Sequence, residues 1–214
     1  MTRSASVHAI AFTSLAVLLV VIGAAMRPMF APVNPPVPPA VLNATEIGFV
    51  QDMAAHHQQA IQIAQRLDPG VDPGIEALAQ QIRDTQTAEI GMLLGWLRLA
   101  EVPPVNRHTM SWTTSDSDAV HQHPIHPAGP VASPGLMPGM ATVTELDSLA
   151  AARGHDAEEL FLQLMYRHHL GGVEMARAAD EQLDDGAVKQ AARDIVATQS
   201  QEAGLMAVLL TQAR

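Results

Sequence analysis

Hydrophobic and polar positions divide the chain into an uncharged apolar run, a proline-rich spacer and a series of helix-period segments. From Ala9 to Met26 no residue is charged and only Thr13 and Ser14 are polar. Arg3 precedes the run and Arg27 follows it. A bilayer span needs about 20 apolar residues, so 1–27 reads as a transmembrane anchor with its N-terminus inside. The alternative is a secretory signal cut near Gly23-Ala24-Ala25. No cysteine follows the run, so lipoprotein attachment is excluded. Either way the remainder is expected outside the cytoplasm, tethered or released. Residues 28–42 hold six of the fifteen prolines and read as a semi-rigid spacer.

Beyond the spacer, capping signals punctuate the apolar periodicity. Asn43-x-x-Glu46 is a capping box that opens a first helix, and Asp68-Pro69-Gly70 ends it. Asp72-Pro73 starts a second helix with proline at its first position, and Val102-Pro103-Pro104 closes it. Thr142-x-x-Glu145 opens a short helix that Gly154 is expected to stop. Asp156-x-x-Glu159 is expected to open a third long helix ending near Asp184-Asp185-Gly186, and a last helix runs to the C-terminus.

Two of these units repeat. Glu46, Phe49, Gln51, Met53, His56 and His57 recur 112 positions later as Glu158, Phe161, Gln163, Met165, His168 and His169. Ile82 to Met92 resembles Ile195 to Leu205 at an offset of 113. The chain thus writes two helix hairpins, 43–101 and 155–213, as a pseudo-symmetric four-helix bundle would be written. Between them lie a His-, Met- and Pro-rich connection, 102–141, and the short helix, 142–153. The expected fold is all-α, a four-helix bundle domain over 43–214.

Composition narrows the chemistry. Aromatic residues make up 3% and hydrophobic residues 48%, so the core must be aliphatic and methionine-based. The net charge is −10 with no basic run, which argues against a nucleic-acid partner. The absence of cysteine removes disulfides, thiolate nucleophiles and thiolate metal sites. No phosphate loop, dinucleotide fingerprint, nucleophile elbow or His-Glu-x-x-His is present. Glu-x-x-His, the usual di-iron carboxylate pattern of helical bundles, is also missing. No enzyme activity is expected. A metal-dependent oxidoreductase would need open coordination positions that sequence does not reveal.

The repeated motif places Met53 on the helix face of His56 and His57, and Met165 on that of His168 and His169. Thioether with imidazole is a soft-to-borderline ligand set that suits copper, above all Cu(I); zinc would gain little from methionine. The competing reading makes Met core filler and the His pairs polar caps. Glu89 and Glu202 fall on the apolar stripes of the second and fourth helices, Glu89 seven after Ile82 and Glu202 seven after Ile195. A carboxylate there needs a partner. Either it orients an imidazole from behind or ligates metal itself, or it pairs with Arg83 or Arg193, or it reaches water at the stripe's edge. His121, His123 and His126, with Met110, Met137 and Met140 in the same connection, could bind metal loosely or be solvated low-complexity sequence.

The doubled Phe-x-x-x-Met-x-x-His-His, with Met137-Pro138-Gly139-Met140 before a short helix and Glu89 and Glu202 on the partner helices, resembles the DUF 305 family. The resemblance covers about Ala44 to Leu210. It implies a ferritin-like four-helix bundle, export or membrane anchoring and, in some members, copper binding and tolerance. It carries over Met53, His56, His57, Met140, Met165, His168 and His169 as motif residues. Glu158 stands where the family often has Asp, Gly171-Gly172 replaces the more usual Gly-Ala, and His121 to His126 looks like an insertion.

These observations predict a membrane-anchored, extracytoplasmic copper-binding protein that buffers the ion or passes it to a delivery partner. The alternative is a structural or interaction bundle whose His and Glu side chains are hydrogen-bonded to each other without metal.

Overall fold

The computed structural model describes residues 40–113 and 136–212. The apolar segment 9–26, most of the proline spacer and His121, His123 and His126 lie outside the described residues. Among the described residues, no helix is long and apolar enough to cross a membrane.

The described chain is all-helical. Helix α1 spans Ala44–Gln65, α2 Pro73–Leu99, α3 Val143–Ala151, α4 Gly154–Gln182 and α5 Ala187–Gln212, with a 3₁₀ turn at Ser111–Thr113. Asn43 and Glu46 form the expected capping box on α1: Asn43 Oδ1 accepts from Glu46 N at 2.9 Å, and Glu46 Oε2 accepts from Asn43 N at 2.7 Å. Thr142 and Glu145 do the same for α3. Asp72 caps α2 through Gly74 N, with Pro73 at the first position. After α2 the chain turns at Glu101, whose φ of 56° is the left-handed conformation that closes a helix C-terminus. Val102 N then reaches back to Leu97 O.

Two boundaries differ from the sequence expectation. Helix α3 ends at Ala151, and Gly154 begins α4 rather than stopping α3. Gly154 N donates to Asp68 Oδ2 at 2.9 Å, which fixes the start of α4 against the α1–α2 turn. Asp156 therefore lies in the first turn of α4, where its charge suits the helix dipole, and is not its cap; Arg153 holds that position, and its side chain makes no capping bond to the helix. Glu158, matched to Glu46 in the repeat, instead accepts from Asp72 N at 2.6 Å and ties α4 to the start of α2.

Helices α1 and α2 pack as one hairpin and α4 and α5 as another, and the hairpins meet along α1 and α4. At the centre of this seam the equivalent histidines of the repeat face each other, and the C-terminal half of α1 packs on the N-terminal half of α4. The His56 and His168 rings are 3.9 Å apart between centroids. The seam thus runs antiparallel, with the pseudo-symmetry centred on the histidines.

The apolar core is accordingly split in two. One cluster gathers the C-terminal half of α1 with the N-terminal half of α4 around Phe161, Leu162 and Ile82. The other gathers the N-terminal half of α1 with the C-terminal half of α4 around Phe49, Met175 and Leu93. Phe49 and Phe161, the matched aromatics, are each fully buried at opposite ends. Truncating either to Ala would cost about 3–5 kcal/mol. Between the clusters lies a buried polar layer, which contains the candidate site.

Candidate metal centre

Four imidazoles occupy the middle of the bundle. His56, His57, His168 and His169 are all 0% exposed. Each directs Nε2 toward an oxygen. His56 Nε2 donates to Pro138 O at 2.9 Å and His168 Nε2 donates to His56 O at 3.1 Å. His169 Nε2 donates to Glu202 Oε2 at 2.7 Å. His57 Nε2 lies 2.7 Å from Glu89 Oε2, as close as an ion pair but off the line of a hydrogen bond.

A carbonyl or carboxylate oxygen can only accept, so the three hydrogen bonds place a proton on Nε2 of His56, His168 and His169. A neutral ring protonated there carries its lone pair on Nδ1. All four Nδ1 atoms are buried without a hydrogen-bond partner. Burial, reinforced by His57 and His169 nearby, lowers the His56 pKa to about 3 against the opposing pull of the Pro138 carbonyl. Burial, followed by the charges His56, His169 and His57 would carry, holds His168 well below the usual histidine range. Both rings are therefore neutral at pH 7, the protonation state a metal ligand needs.

Glu89 and Glu202 stand behind His57 and His169. Arg83 is engaged by Glu76 at 2.8 Å and by Gln80, and Arg193 by Asp180 at 2.7 Å, so neither arginine pairs with these carboxylates. Gln81 Nε2 on α2 donates to Glu202 Oε1 on α5 at 3.3 Å, linking the two outer helices.

The motif methionines part company. Met53 is fully buried in the cluster that also contains Met137 and Met175, with half-buried Met110 and Met140 packed against it. Met165 is fully buried in the opposite cluster. The histidine layer is thus flanked by a thioether-bearing helix turn on each side. Among the described residues, no group of three or more His, Cys, Asp or Glu side chains is arranged to hold a metal ion as it stands.

Several residues of this layer were not singled out from sequence. Gln86 and Gln199 are 1% and 0% exposed, and their amide atoms are buried without partners. Gln199 fills the space that a Cβ on Gly172 would take. An orphaned buried polar group costs about 1–3 kcal/mol, so the two amides extend the polar layer onto α2 and α5. Gln59 is buried and bonds the backbone of Ala141 twice. Asp52, 2% exposed, accepts from Asn106 Nδ2, Met110 N and Trp112 Nε1 through its Oδ2. Desolvation raises its pKa against those three bonds. It anchors the segment after α2 onto α1.

A family model described as Domain of unknown function (DUF305) matches residues 46–210. The chain belongs to the DUF305 family. The histidine layer, both glutamates and the Pro138 segment all lie inside the matched span. A DUF305 protein from Streptomyces coelicolor, assigned as secreted, has a crystal structure that is 35% identical. The match covers 79% of this chain and 92% of that one with a TM-score of 0.66. A DUF305 fragment from Deinococcus radiodurans is 29% identical over 82% of this chain and 99% of its own, at a TM-score of 0.61. CopM in its Cu(II)-bound form shares the fold at 22% identity and a TM-score of 0.55, over 79% of this chain and 97% of its own. No curated protein matches the chain.

Proposed function

We propose that this DUF305 chain is an extracytoplasmic copper-binding protein with a ferritin-like bundle, held at a membrane by segment 1–27. The observation that carries this reading is the set of four buried Nδ1 atoms without hydrogen-bond partners, on rings whose Nε2 sides are turned to oxygen atoms. Neutral imidazoles with fixed Nε2 protons are ready donors for a borderline or soft ion. His56, His57, His168 and His169 would supply nitrogen, and Met53, Met140 and Met165 thioether sulfur. Glu89 and Glu202 would orient rings from behind. Copper is cargo in this reading, to be buffered or handed to a delivery partner, and no catalytic step is assigned. Zinc is the weaker fit, because thioether adds little to its binding. CopM, which shares the fold, is itself a Cu(II)-bound protein; the secreted assignment of the Streptomyces relative agrees with a site outside the cytoplasm.

One observation favours a second reading. The rings are already engaged through Nε2, and no three His, Cys, Asp or Glu side chains are arranged for an ion among the described residues. A metal-free structural layer of His–Glu pairs would have the same contacts.

The two readings separate on competitive titration of the full chain with Cu(I), Cu(II) and Zn²⁺ against a chelator. The copper reading predicts tight, copper-selective binding that is lost when the four histidines are changed to Gln. Glutamine keeps a donor where Nε2–H stood but has no nitrogen lone pair at the Nδ1 position. Wild-type binding no tighter than that of the Gln variant would favour the structural layer.

A further inference from the structure

The repeat equates Gln59 on α1 with Gly171 on α4, at the same offset of 112 that equates the histidines. The segment 137–142 crosses the α1–α4 seam between these two positions. Met140 N donates to Met137 O at 3.2 Å, and Gly139 has φ of 73°, which makes Met137-Pro138-Gly139-Met140 a tight turn with Pro and Gly at its centre. On the α4 side the strap lies directly on the helix backbone. A Cβ on Gly171 would overlap Pro138 O, and one on Gly139 would overlap Arg167 O. On the α1 side Gln59 grips the strap at one residue: Gln59 Nε2 donates to Ala141 O at 2.9 Å, and Ala141 N donates to Gln59 Oε1 at 2.6 Å. Downstream, Arg167 pairs with Glu145 through both terminal nitrogens, at 2.7 and 2.8 Å. The strap carries the Pro138 carbonyl that receives the His56 Nε2 proton, and it carries Met140.

We propose that Gln59 is a positioning residue for the histidine layer, a latch that holds the 137–142 strap over His56 and must release it for an ion to reach the His56–His168 pair. The role in ion access rests on the copper reading; the hold on the strap and on the His56 ring does not. A primary amide that donates and accepts on the two sides of one peptide residue fixes both the height and the register of the strap. Sliding it by one residue would move Pro138 O away from His56 and place a side chain where only Gly139 fits. The equivalent position on α4 is glycine because the strap occupies that space. The latch therefore stands on one helix alone and leaves the two His pairs with different covers.

The test uses the full chain with Gln59→Leu, which keeps the buried volume and removes both bonds. Without metal, amides of 138–142 should exchange with solvent roughly tenfold faster, while α4 and α5 keep their protection. The His56 ring, read by long-range ¹H–¹⁵N NMR, should change from a fixed Nε2–H tautomer to a mixture, with His169 unchanged. Glu145→Gln, which loosens the other anchor, should speed exchange in α3 and leave the His56 tautomer alone. With Cu(I) added, Gln59→Leu should take the ion up faster and lose it faster than wild type. An unaltered His56 tautomer and unaltered strap exchange in folded Gln59→Leu would overturn the latch, as would an identical effect from Glu145→Gln. Should Gln59→Leu not fold, Gln59→Met offers the same removal on an unbranched chain and is judged by the same signals. If wild type takes up no copper, the copper reading fails, while the metal-free measurements still decide whether Gln59 sets the strap and the ring.

Discussion

The two halves of the repeat share their letters at the histidine layer and diverge where the connection crosses them. In the first half Asp52 pins the segment after α2 through three hydrogen bonds; its counterpart in the second half is Leu164, a buried core residue. Gln59 faces the strap where Gly171 yields to it. Arg167 holds Glu145, and its counterpart Ala55 is exposed. Phe49 with Phe161 and His56 with His168, matched and unchanged, build the internal layer and its two apolar ends. Matched positions that change record which half carries the chain's non-repeating parts. An internal repeat thus locates a shared site, and its mismatches locate what covers that site.

The largest effect should come from pH, and it should fall on both halves alike. Unfolded histidine takes up a proton near 6.5, while folded His56 resists protonation down to about 3. His168 is shifted in the same direction. The unfolded state therefore binds more protons in this window, stability rises with pH across it, and acidification destabilises. Each ring should contribute about 1.4 kcal/mol per pH unit below 6.5. Chemical denaturation at pH 7 and pH 4.5 measures the slope, and His56→Gln or His168→Gln should each remove about half of it. A slope that vanishes with only one of them would mean the halves differ electrically as well as sterically.

Gly171→Ala should follow, at about 3 kcal/mol or more, because the added methyl meets the Pro138 backbone rather than a yielding side chain. Thermal unfolding reads it. A loss near zero would mean the strap does not press on α4. Asp52→Leu, which writes the second half's residue into the first, should cost about 2–3 kcal/mol and leave the Trp112 indole N–H unpaired. Trp112 fluorescence in a Trp96→Phe background would then shift toward the exposed form, while α4 and α5 stay helical by circular dichroism.

The smallest effects sharpen the comparison. Gly91 and Gly204 are equivalent at the 113 offset, and a Cβ at either meets nothing within 4 Å. Changing either to Ala should stabilise by about 0.5–1 kcal/mol, and by the same amount in both, since only helix propensity is altered. Unequal gains, read from denaturant midpoints, would reveal contacts in one half that its twin lacks.

Much of this architecture was legible in the sequence because it depends on local rules. Both capping boxes, Pro73 at the start of α2 and the pairing of hairpins follow from spacing and repetition. The start of α4 was misread because Asp156 has the form of a cap, whereas Gly154 begins the helix through a long-range bond to Asp68. At the layer, the stripe through Ile82 pointed to Glu89, yet Leu93 and Leu97 are the fully buried positions and Gln86 the buried polar one. Thr85-Gln86-x-x-Glu89 and Thr198-Gln199-x-x-Glu202 repeat as clearly as the His pairs do, so the glutamines were visible as a pattern; only burial marks them as significant. Pro138 O and the Gln59 clamp are backbone contacts spanning 82 positions, which no side-chain pattern encodes.

The central claim, that four Nδ1 lone pairs form the binding surface, is tested most directly by the imidazole ¹⁵N spectrum of the full chain before and after one equivalent of Cu(I). The account predicts four Nε2–H rings without metal, and Nδ1 resonances of His56, His57, His168 or His169 that move on binding while their Nε2 protons remain. Unmoved Nδ1 signals, with copper going instead to other histidines of the chain, would contradict it.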